Sequence, residues 1–342
     1  MLGVMSLTRE AMLYTGVGDG RVECGVCSRR CVISPGKLGF CRTRENRDGK
    51  LYTLIYGLVS SVSADPIEKK PLYHFMPGSL SYSLGTVGCN FRCLHCQNYT
   101  VSQMRHDEVR TFELSPEDAV SRALETGCRS MAFTYNEPTI WFEYTYDTAR
   151  LAHDSGLANV YVTNGYITEE ALKTIAPYLD ALSFDIKAFS DDFYKNICHA
   201  RLAPVLDTAL LGKELGMHIE VVNLIIPTLN DSTDEIREFV EWIKDNLGAD
   251  TPLHFTRFYP YYKLNDLPQT PFNTLEEAYR IAKDAGMEYV YIGNVPDTEQ
   301  NNTYCPSCGR ELIKRYGFHV VENRITPDGK CPECGTRIKV KE

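Results

Sequence analysis

Gly88-Cys-Asn-Phe-Arg-Cys-Leu-His-Cys-Gln-Asn98 is the stretch from which both the fold and the chemistry of this chain are predicted. It follows a strand-like apolar run, residues 80–87, and carries three closely spaced cysteines, Cys89, Cys93 and Cys96. Three thiolates can bind three irons of a [4Fe-4S] cube and leave the fourth iron without a protein ligand. Because closed metal sites are structural and open ones are catalytic, the spacing predicts a reactive iron.

The composition argues against several classes of function. The chain has 342 residues, 43% of them hydrophobic, and a net charge of -9. An acidic chain is poorly suited to duplex nucleic acid, which requires excess Lys and Arg, or to an anionic membrane surface. No apolar run approaches the length of a transmembrane helix. The first six residues contain no basic segment leading into an apolar one, so we expect a cytoplasmic protein.

Thirteen cysteines in a chain without an export signal indicate metal thiolates rather than disulfides. Eleven of them form three groups, which are the triplet, an N-terminal quartet (Cys24, Cys27, Cys31 and Cys41) and a C-terminal quartet (Cys305, Cys308, Cys331 and Cys334). Of the other two, Cys128 precedes a strand and is expected to be a buried hydrophobe, whereas Cys198 follows a strand and could face a site.

The two quartets predict two further metal sites. The C-terminal one consists of two C-P-x-C-G knuckles, which favour a tetrahedral site with structural zinc over rubredoxin-like iron. The N-terminal C-x2-C-x3-C-x9-C spacing fits zinc or an auxiliary iron–sulfur cluster, and zinc is the slightly preferred interpretation.

A repeated order of strand, loop and helix begins at Ser81. Near-continuous apolar strands that alternate with capped helices predict a parallel sheet covered on both faces. Because fewer than eight units are present, we predict an α/β fold built on a partial (βα)6 TIM-type barrel. The predicted domains are an N-terminal four-cysteine extension (1–80), the barrel (81–295) and a zinc-ribbon or rubredoxin-like module (300–342). The segment 65–71, with two prolines and four charges, predicts a loop in which Lys69 and Lys70 are solvated.

Polar side chains follow the predicted strands, at the end of a parallel barrel where chemistry takes place. The candidates are Asn136 and Glu137, Thr163 and Asn164, Asp185 and Lys187, Asn223, and, in the sixth strand, His254 and Arg257. A single Asn or Asp could merely start a loop or cap a helix. Glu137, Asp185 and Lys187 adjoin buried strand residues instead, which predicts one shared site.

The triplet with its flanking Gly88 and Gln97-Asn98, opening a (βα) barrel, resembles the radical SAM superfamily. Within it, the chain resembles pyruvate formate-lyase activating enzymes and most of all the AmmeMemoRadiSam branch, through the N-terminal quartet, the segment 65–74 and Tyr135-Asn-Glu-Pro138. The resemblance implies that S-adenosylmethionine (SAM) chelates the open iron through its amino and carboxylate groups. An electron from the cluster then yields a 5'-deoxyadenosyl radical, which abstracts hydrogen from a substrate.

The resemblance also implies roles for single residues. Residues 135–138 match the Gly-Gly-Glu segment of the family, so that Glu137 would accept from the SAM amino group. Asp185 and Lys187 match an Asp-x-Lys near the SAM carboxylate and ribose, residues 163–165 match a Thr-Asn-Gly, and Asn223 lies where the family contacts adenosine. Val162 stands where the activases have an Asp that helps to bind a monovalent cation, which leaves that cation site open here.

These expectations lead to one main function and two alternatives. The main one is a radical SAM oxidoreductase of the glycyl-radical-activating type, with a ferredoxin or flavodoxin as reductant. The first alternative acts on a small molecule or a non-glycyl protein, and the AmmeMemoRadiSam resemblance implies a Memo-like partner. The second alternative is a non-enzymatic metal-ribbon protein that binds protein or RNA.

Overall fold

The centre of the molecule is an eight-stranded sheet, seen in a computed structural model that describes residues 8–342. Its strands are β1 (Ser61–Pro66), β2 (Leu80–Gly85), β3 (Ser130–Phe133), β4 (Ala158–Thr163), β5 (Ala181–Asp185), β6 (His218–Ile225), β7 (Leu253–Arg257) and β8 (Val290–Gly293). They lie side by side in chain order. Only the β1–β2 pair is antiparallel, and the six pairs from β2 to β8 are parallel.

Six helices connect the successive parallel strands. They are α1 (Pro116–Glu125), α2 (Phe142–Asp154), α3 (Glu169–Ile175), α4 (Ala203–Glu214), α5 (Thr233–Asn246) and α6 (Phe272–Asp284). Three predicted caps are present, since the side chains of Ser115, Thr168 and Ser232 accept from backbone N–H groups in the first turns of α1, α3 and α5. The cap predicted at Thr274 is wrong, because α6 already begins at Phe272 after Pro271. These observations confirm the α/β class with a mainly parallel sheet. The partial barrel and the domain limits stay predictions.

Smaller elements flank this sheet on both sides in sequence. Short strands before it are Arg9–Glu10, Tyr14–Gly16, Val22–Cys24, Val32–Ile33, Arg44–Arg47, Lys50–Thr53 and Leu58–Val59, the last paired with Phe112–Glu113. Strands after it are Thr303–Tyr304, Glu311–Tyr316 and His319–Asn323. Short helical segments are Ile67–Lys69, Tyr99–Ser102, Pro138–Trp141, Ala176–Tyr178, Asp191–Phe193, Tyr194–Cys198 and Glu299–Asn301.

The expected absence of a transmembrane helix agrees with the structure. Within residues 8–342, no helix has the length and apolar character needed to cross a membrane. The prediction drawn from the first six residues lies outside the described part of the chain.

The segment 65–71 differs from the predicted solvated loop. Asp65 belongs to β1, a 3-10 helix comes next, and Lys70 is only 2% exposed. The Lys70 Nζ lies 2.6 Å from Asp65 Oδ2, whereas Lys69 is exposed as predicted. Burial would raise the pKa of the Asp65 carboxyl, but hydrogen bonds from Lys70 and Lys69 hold that pKa below its usual range. The charged composition of this segment predicted that its side chains are exposed to solvent. The ion pair that permits the burial of Lys70 is not visible in the sequence.

Glu220 connects the segment before β2 to the interior of the sheet. This carboxylate of β6 is fully buried and accepts four hydrogen bonds. The donors are Tyr73 N, His74 N and the Nε2 atoms of His218 and His254, at 2.7–2.9 Å. Burial would raise the pKa of Glu220, but the two imidazoles hold it well below its usual range. The carboxylate therefore anchors the segment of Tyr73 and His74 to β6.

We expect Glu220→Gln to lower the free energy of unfolding by about 3 kcal/mol, because an amide group replaces an acceptor and meets buried N–H donors. The measurement is the midpoint of thermal or denaturant unfolding, with Glu238→Gln on exposed α5 surface as the matched control. Equal midpoints for the two variants would show that Glu220 does not anchor this segment.

Candidate active site

One cavity of about 440 Å³ gathers most of the residues predicted from the strand ends. Its predicted lining residues are Cys89, Cys93, Cys96, Asn136, Glu137, Asn164, Asp185 and Lys187. They lie at or beyond the ends of β2, β3, β4 and β5, four adjacent parallel strands. The parallel arrangement thus brings together side chains that lie almost 100 residues apart in sequence.

The cysteine loop is held in place by the side chain of Asn136. Its Oδ1 accepts from Thr86 N at 3.1 Å, and its Nδ2 donates to Gly88 O at 2.9 Å. Gly88 has a φ of +87°, and a Cβ there would come within 2.9 Å of Cys41 O and 2.7 Å of a Thr43 methyl. Only glycine fits this backbone, so the turn that presents the triplet is fixed by sequence.

The three sulfurs form a donor set that suits iron. Cys89 and Cys93 are buried, and Cys96 is partly buried. Burial raises the pKa of the Cys89 thiol well above its usual range, and the nearby Glu137 carboxylate adds to that effect. Binding of a metal would deprotonate these thiols, which is the usual coupling between metal binding and deprotonation. Cys198 is buried, and its thiol lies beside that of Cys93.

Glu137 is a buried acid with nearly all of its hydrogen bonds made by the protein. Its Oε1 accepts from Thr139 N, Thr139 Oγ1 and Thr163 Oγ1, at 2.6–3.0 Å. Its Oε2 accepts from Asn164 N at 2.9 Å. Burial nevertheless raises the pKa of this carboxyl. Thr163 thus orients Glu137 from outside the cavity lining, and Oε2 retains room for a second donor.

Asn164 connects β4 to the cysteine loop. Its Nδ2 donates to Asn90 Oδ1 at 2.8 Å and lies 3.8 Å from the Cys89 sulfur. Its Oδ1 accepts from Tyr166 N, which fixes the amide orientation. The residue after Cys89 and the residue after β4 therefore hold each other in place.

Asp185 and Lys187 form an ion pair at the edge of the cavity, with Nζ 2.8 Å from Oδ2. Burial would lower the pKa of Lys187, but Asp185 and the Cys93 sulfur raise it above its usual range. Asn223 Nδ2 donates to Ile186 O, and Asn230 Nδ2 donates to Lys187 O. Asn223 thus supports the segment that carries the ion pair and lies outside the cavity lining.

Neither residue predicted from the sixth strand lines the cavity. The Arg257 guanidinium lies over the Phe272 ring, and the expected place of His254 is also wrong. His254 lies two residues before Thr256, which does line the cavity, and its imidazole binds Glu220. Side chains alternate between the two faces of a strand, and those on one face follow one another along its length. Residues on the same face of β7 therefore lie at different depths in the interior. The sequence pattern predicts the face of the strand on which a residue lies, but not its depth in the interior.

Several lining residues were not predicted as site residues, and Lys70, Tyr135 and Phe318 are three of them. Lys70 and Tyr135 line the cavity and share Asp65, whose Oδ2 accepts from both. Phe318, between the last two strands, also lines it and is 47% exposed, so it lies where the cavity meets solvent. Tyr135 stands beside Glu137 in a quoted motif, but no local signal identifies Lys70 or Phe318.

The two quartets occupy separate places. The four sulfurs of the C-terminal quartet lie within 4.8 Å of one another, as expected for a single metal ion. The N-terminal quartet lines a different pocket, together with Arg29, Arg44 and Asn90.

Comparison with known proteins places this geometry in a family. The family model of the Radical SAM superfamily matches residues 83–243. The uncharacterized protein MJ0808 of Methanocaldococcus jannaschii is 48% identical over 97% of this chain and 99% of its own length. The pyruvate formate-lyase-activating enzyme of Clostridium pasteurianum is 27% identical over 52% of this chain and 77% of its own.

A solved structure shares the fold at low identity. The crystal structure of Streptococcus suis SuiB bound to precursor peptide SuiA superimposes with a TM-score of 0.50 and 13% identity, covering 67% of this chain and 51% of that one. Enzymes of the matched superfamily catalyse radical reactions with a [4Fe-4S] cluster and SAM. The buried triplet, the cavity beside it and the sequence match agree, and the chain belongs to the radical SAM superfamily.

Proposed function

We propose that this protein is a radical SAM oxidoreductase of the activase-like type, which cleaves SAM reductively and abstracts hydrogen from a substrate. The supporting observation is that one cavity joins the three thiols to the side chains of Glu137, Asn164, Asp185 and Lys187. With its fourth iron open, a [4Fe-4S] cluster on Cys89, Cys93 and Cys96 supplies a coordination site for SAM and the electron that breaks its sulfonium bond.

The roles of the surrounding residues follow from the resemblance to the family, and their charges are compatible with it. Glu137 Oε2 has a free acceptor position for the SAM ammonium group, and Thr163 and Asn164 hold that carboxylate in place. Lys187 would offset the SAM carboxylate, with Asp185 near the ribose hydroxyls. Asn136 fixes the cluster loop, and Asn223 supports the Lys187 segment near the adenosine.

The substrate class has one preferred and one alternative interpretation. A glycyl-radical activase removes hydrogen from a backbone Cα of a protein, and the partial (βα)6 barrel that we propose for these strands would leave room for a peptide loop. A small molecule or non-glycyl protein is the alternative, supported by Val162, an apolar residue of the cavity lining where the activases have Asp. The metal-ribbon binding protein without catalysis has no support, since the superfamily is enzymatic.

Several further features belong to the proposal. The C-terminal quartet would hold structural zinc, because its sulfurs are close enough for one tetrahedral ion. A ferredoxin or flavodoxin would supply the electron in the cytoplasm. A protein substrate or a Memo-like partner is the companion that the resemblance implies.

We predict that Cys93→Ala abolishes formation of 5'-deoxyadenosine from SAM and dithionite under anaerobic conditions, because the cluster loses one of its three ligands. Liquid chromatography of the quenched reaction measures the product. Cys128→Ala is the control, since Cys128 is also buried but lies outside the three cysteine groups. Wild-type product levels in the Cys93 variant would contradict the proposed cluster site.

We also predict that Lys187→Gln weakens SAM binding by about tenfold, because a charge-assisted contact to a carboxylate is lost. The cluster content should stay unchanged. The binding curve comes from the effect of SAM on the electron paramagnetic resonance (EPR) signal of the reduced cluster. Lys173→Gln on the exposed face of α3 serves as the control, and equal affinities in both variants would remove Lys187 from the SAM site.

A further inference from the structure

We propose that the N-terminal quartet of Cys24, Cys27, Cys31 and Cys41 binds a second [4Fe-4S] cluster and not zinc. Its spacing allows either metal centre, so the number of ligands does not decide the question. The separation of the sulfurs and the groups around them favour the cluster.

The three cysteine groups differ in size, and the C-terminal quartet provides an internal standard. In a tetrahedral zinc site with Zn–S bonds of about 2.3 Å, the sulfurs stand about 3.8 Å apart. In the C-terminal quartet, the Cys305–Cys334 and Cys308–Cys331 sulfurs are 3.5 and 3.7 Å apart. The sulfur–sulfur distances of this quartet are therefore those of a site for one metal ion.

The N-terminal quartet is wider. Within residues 8–342, the C-terminal quartet is the only set of three or more potential ligands whose donor atoms all lie within 4.8 Å of one another. The N-terminal quartet lines one pocket, yet no three of its sulfurs meet this limit. The cluster triplet of Cys89, Cys93 and Cys96 does not meet it either. In a cube, each thiolate binds a different iron, so the sulfurs are separated by the width of the cluster.

Two donors in the same pocket lack protein partners. Among the described residues, Arg44 Nε and Asn90 Nδ2 are buried without a hydrogen-bond acceptor, and both residues line the quartet pocket. The rest of the Arg44 guanidinium is bound to Glu143. Buried donors are normally satisfied, and the sulfurs of an iron–sulfur cluster accept hydrogen bonds that tune its potential. A cluster of this kind would supply the missing acceptors.

The charge of the pocket does not separate the two metals. Four thiolates with Zn²⁺ and four thiolates with an oxidised [4Fe-4S]²⁺ core both carry a net charge of about −2. The positive charge of Arg44 would offset the negative charge of either metal centre. Size and the unpaired donors are therefore the basis of the inference.

The second cluster would lie directly against the loop that holds the first. A Cβ at Gly88 would be 2.9 Å from Cys41 O, so the backbones of the two cysteine groups touch. Asn90 lines the quartet pocket and also lies within 3.8 Å of the Cys89 sulfur. The protein would thus hold a second one-electron centre next to its reaction site, close enough for the two spins to interact.

The test is the metal content of the full-length triple variant Cys89→Ala/Cys93→Ala/Cys96→Ala, purified without oxygen and without added iron. This variant leaves the quartet intact, so the test does not depend on a quartet variant that could fail to fold. We expect about four iron and about four sulfide per chain, and an EPR signal of the reduced protein that SAM does not alter. A variant without iron and with about two zinc per chain would overturn the inference.

The wild-type protein gives an independent measurement. About eight iron and one zinc per chain support the second cluster, and about four iron with two zinc contradict it. As the matched control, Cys305→Ala/Cys308→Ala should lose zinc and retain all iron. The total of about eight iron and the spin–spin broadening expected when both clusters are reduced rest on the function proposed above, whereas the iron count of the triple variant does not. Loss of all iron in the triple variant would refute the second cluster alone, whereas retention of every iron would refute the triplet site instead.

Discussion

The burial of the Glu137 carboxylate is the constraint on which the site depends. A charge that is 1% exposed is tolerated only because Thr139, Thr163 and Asn164 donate four hydrogen bonds to it. These bonds join the end of β3 to the end of β4. Asn164 extends the connection to Asn90, one residue beyond the first cysteine of the triplet. The acid, the amide and the cluster loop therefore form one rigid unit rather than three independent side chains.

The sequence predicted which residues line the cavity better than it predicted the role of each residue. Parallel strands end on the same side of a sheet, so the polar residues just beyond each strand were enough to identify Glu137, Asn164, Asp185 and Lys187. Thr163 and Asn223 were found in the same way, yet they support neighbouring groups from outside the lining. The alternating pattern of a strand predicts which face of the sheet a residue occupies. The depth of its side chain in the interior and its hydrogen-bond partner depend on the fold.

The missed residues have partners far away in the chain. Lys70 is buried because Asp65 pairs with it and Tyr135 shares that acid, a contact across 70 positions. Phe318 reaches the cavity because the strands after β8 pack against Tyr291 of β8, and Arg315 donates to Tyr73 O in the segment before β2. The same limit applies to the quartets: spacing gives the number of thiolates, whereas the size of a metal centre is a property of three-dimensional placement.

The central claim is that SAM binds the open iron of the triplet cluster through its amino and carboxylate groups. Electron–nuclear double resonance on the one-electron-reduced protein, with SAM labelled with ¹⁵N at the amino group, tests it directly. The account predicts a hyperfine coupling from that nitrogen which disappears in the Cys89→Ala/Cys93→Ala/Cys96→Ala variant. A reduced cluster without nitrogen coupling at saturating SAM would contradict it.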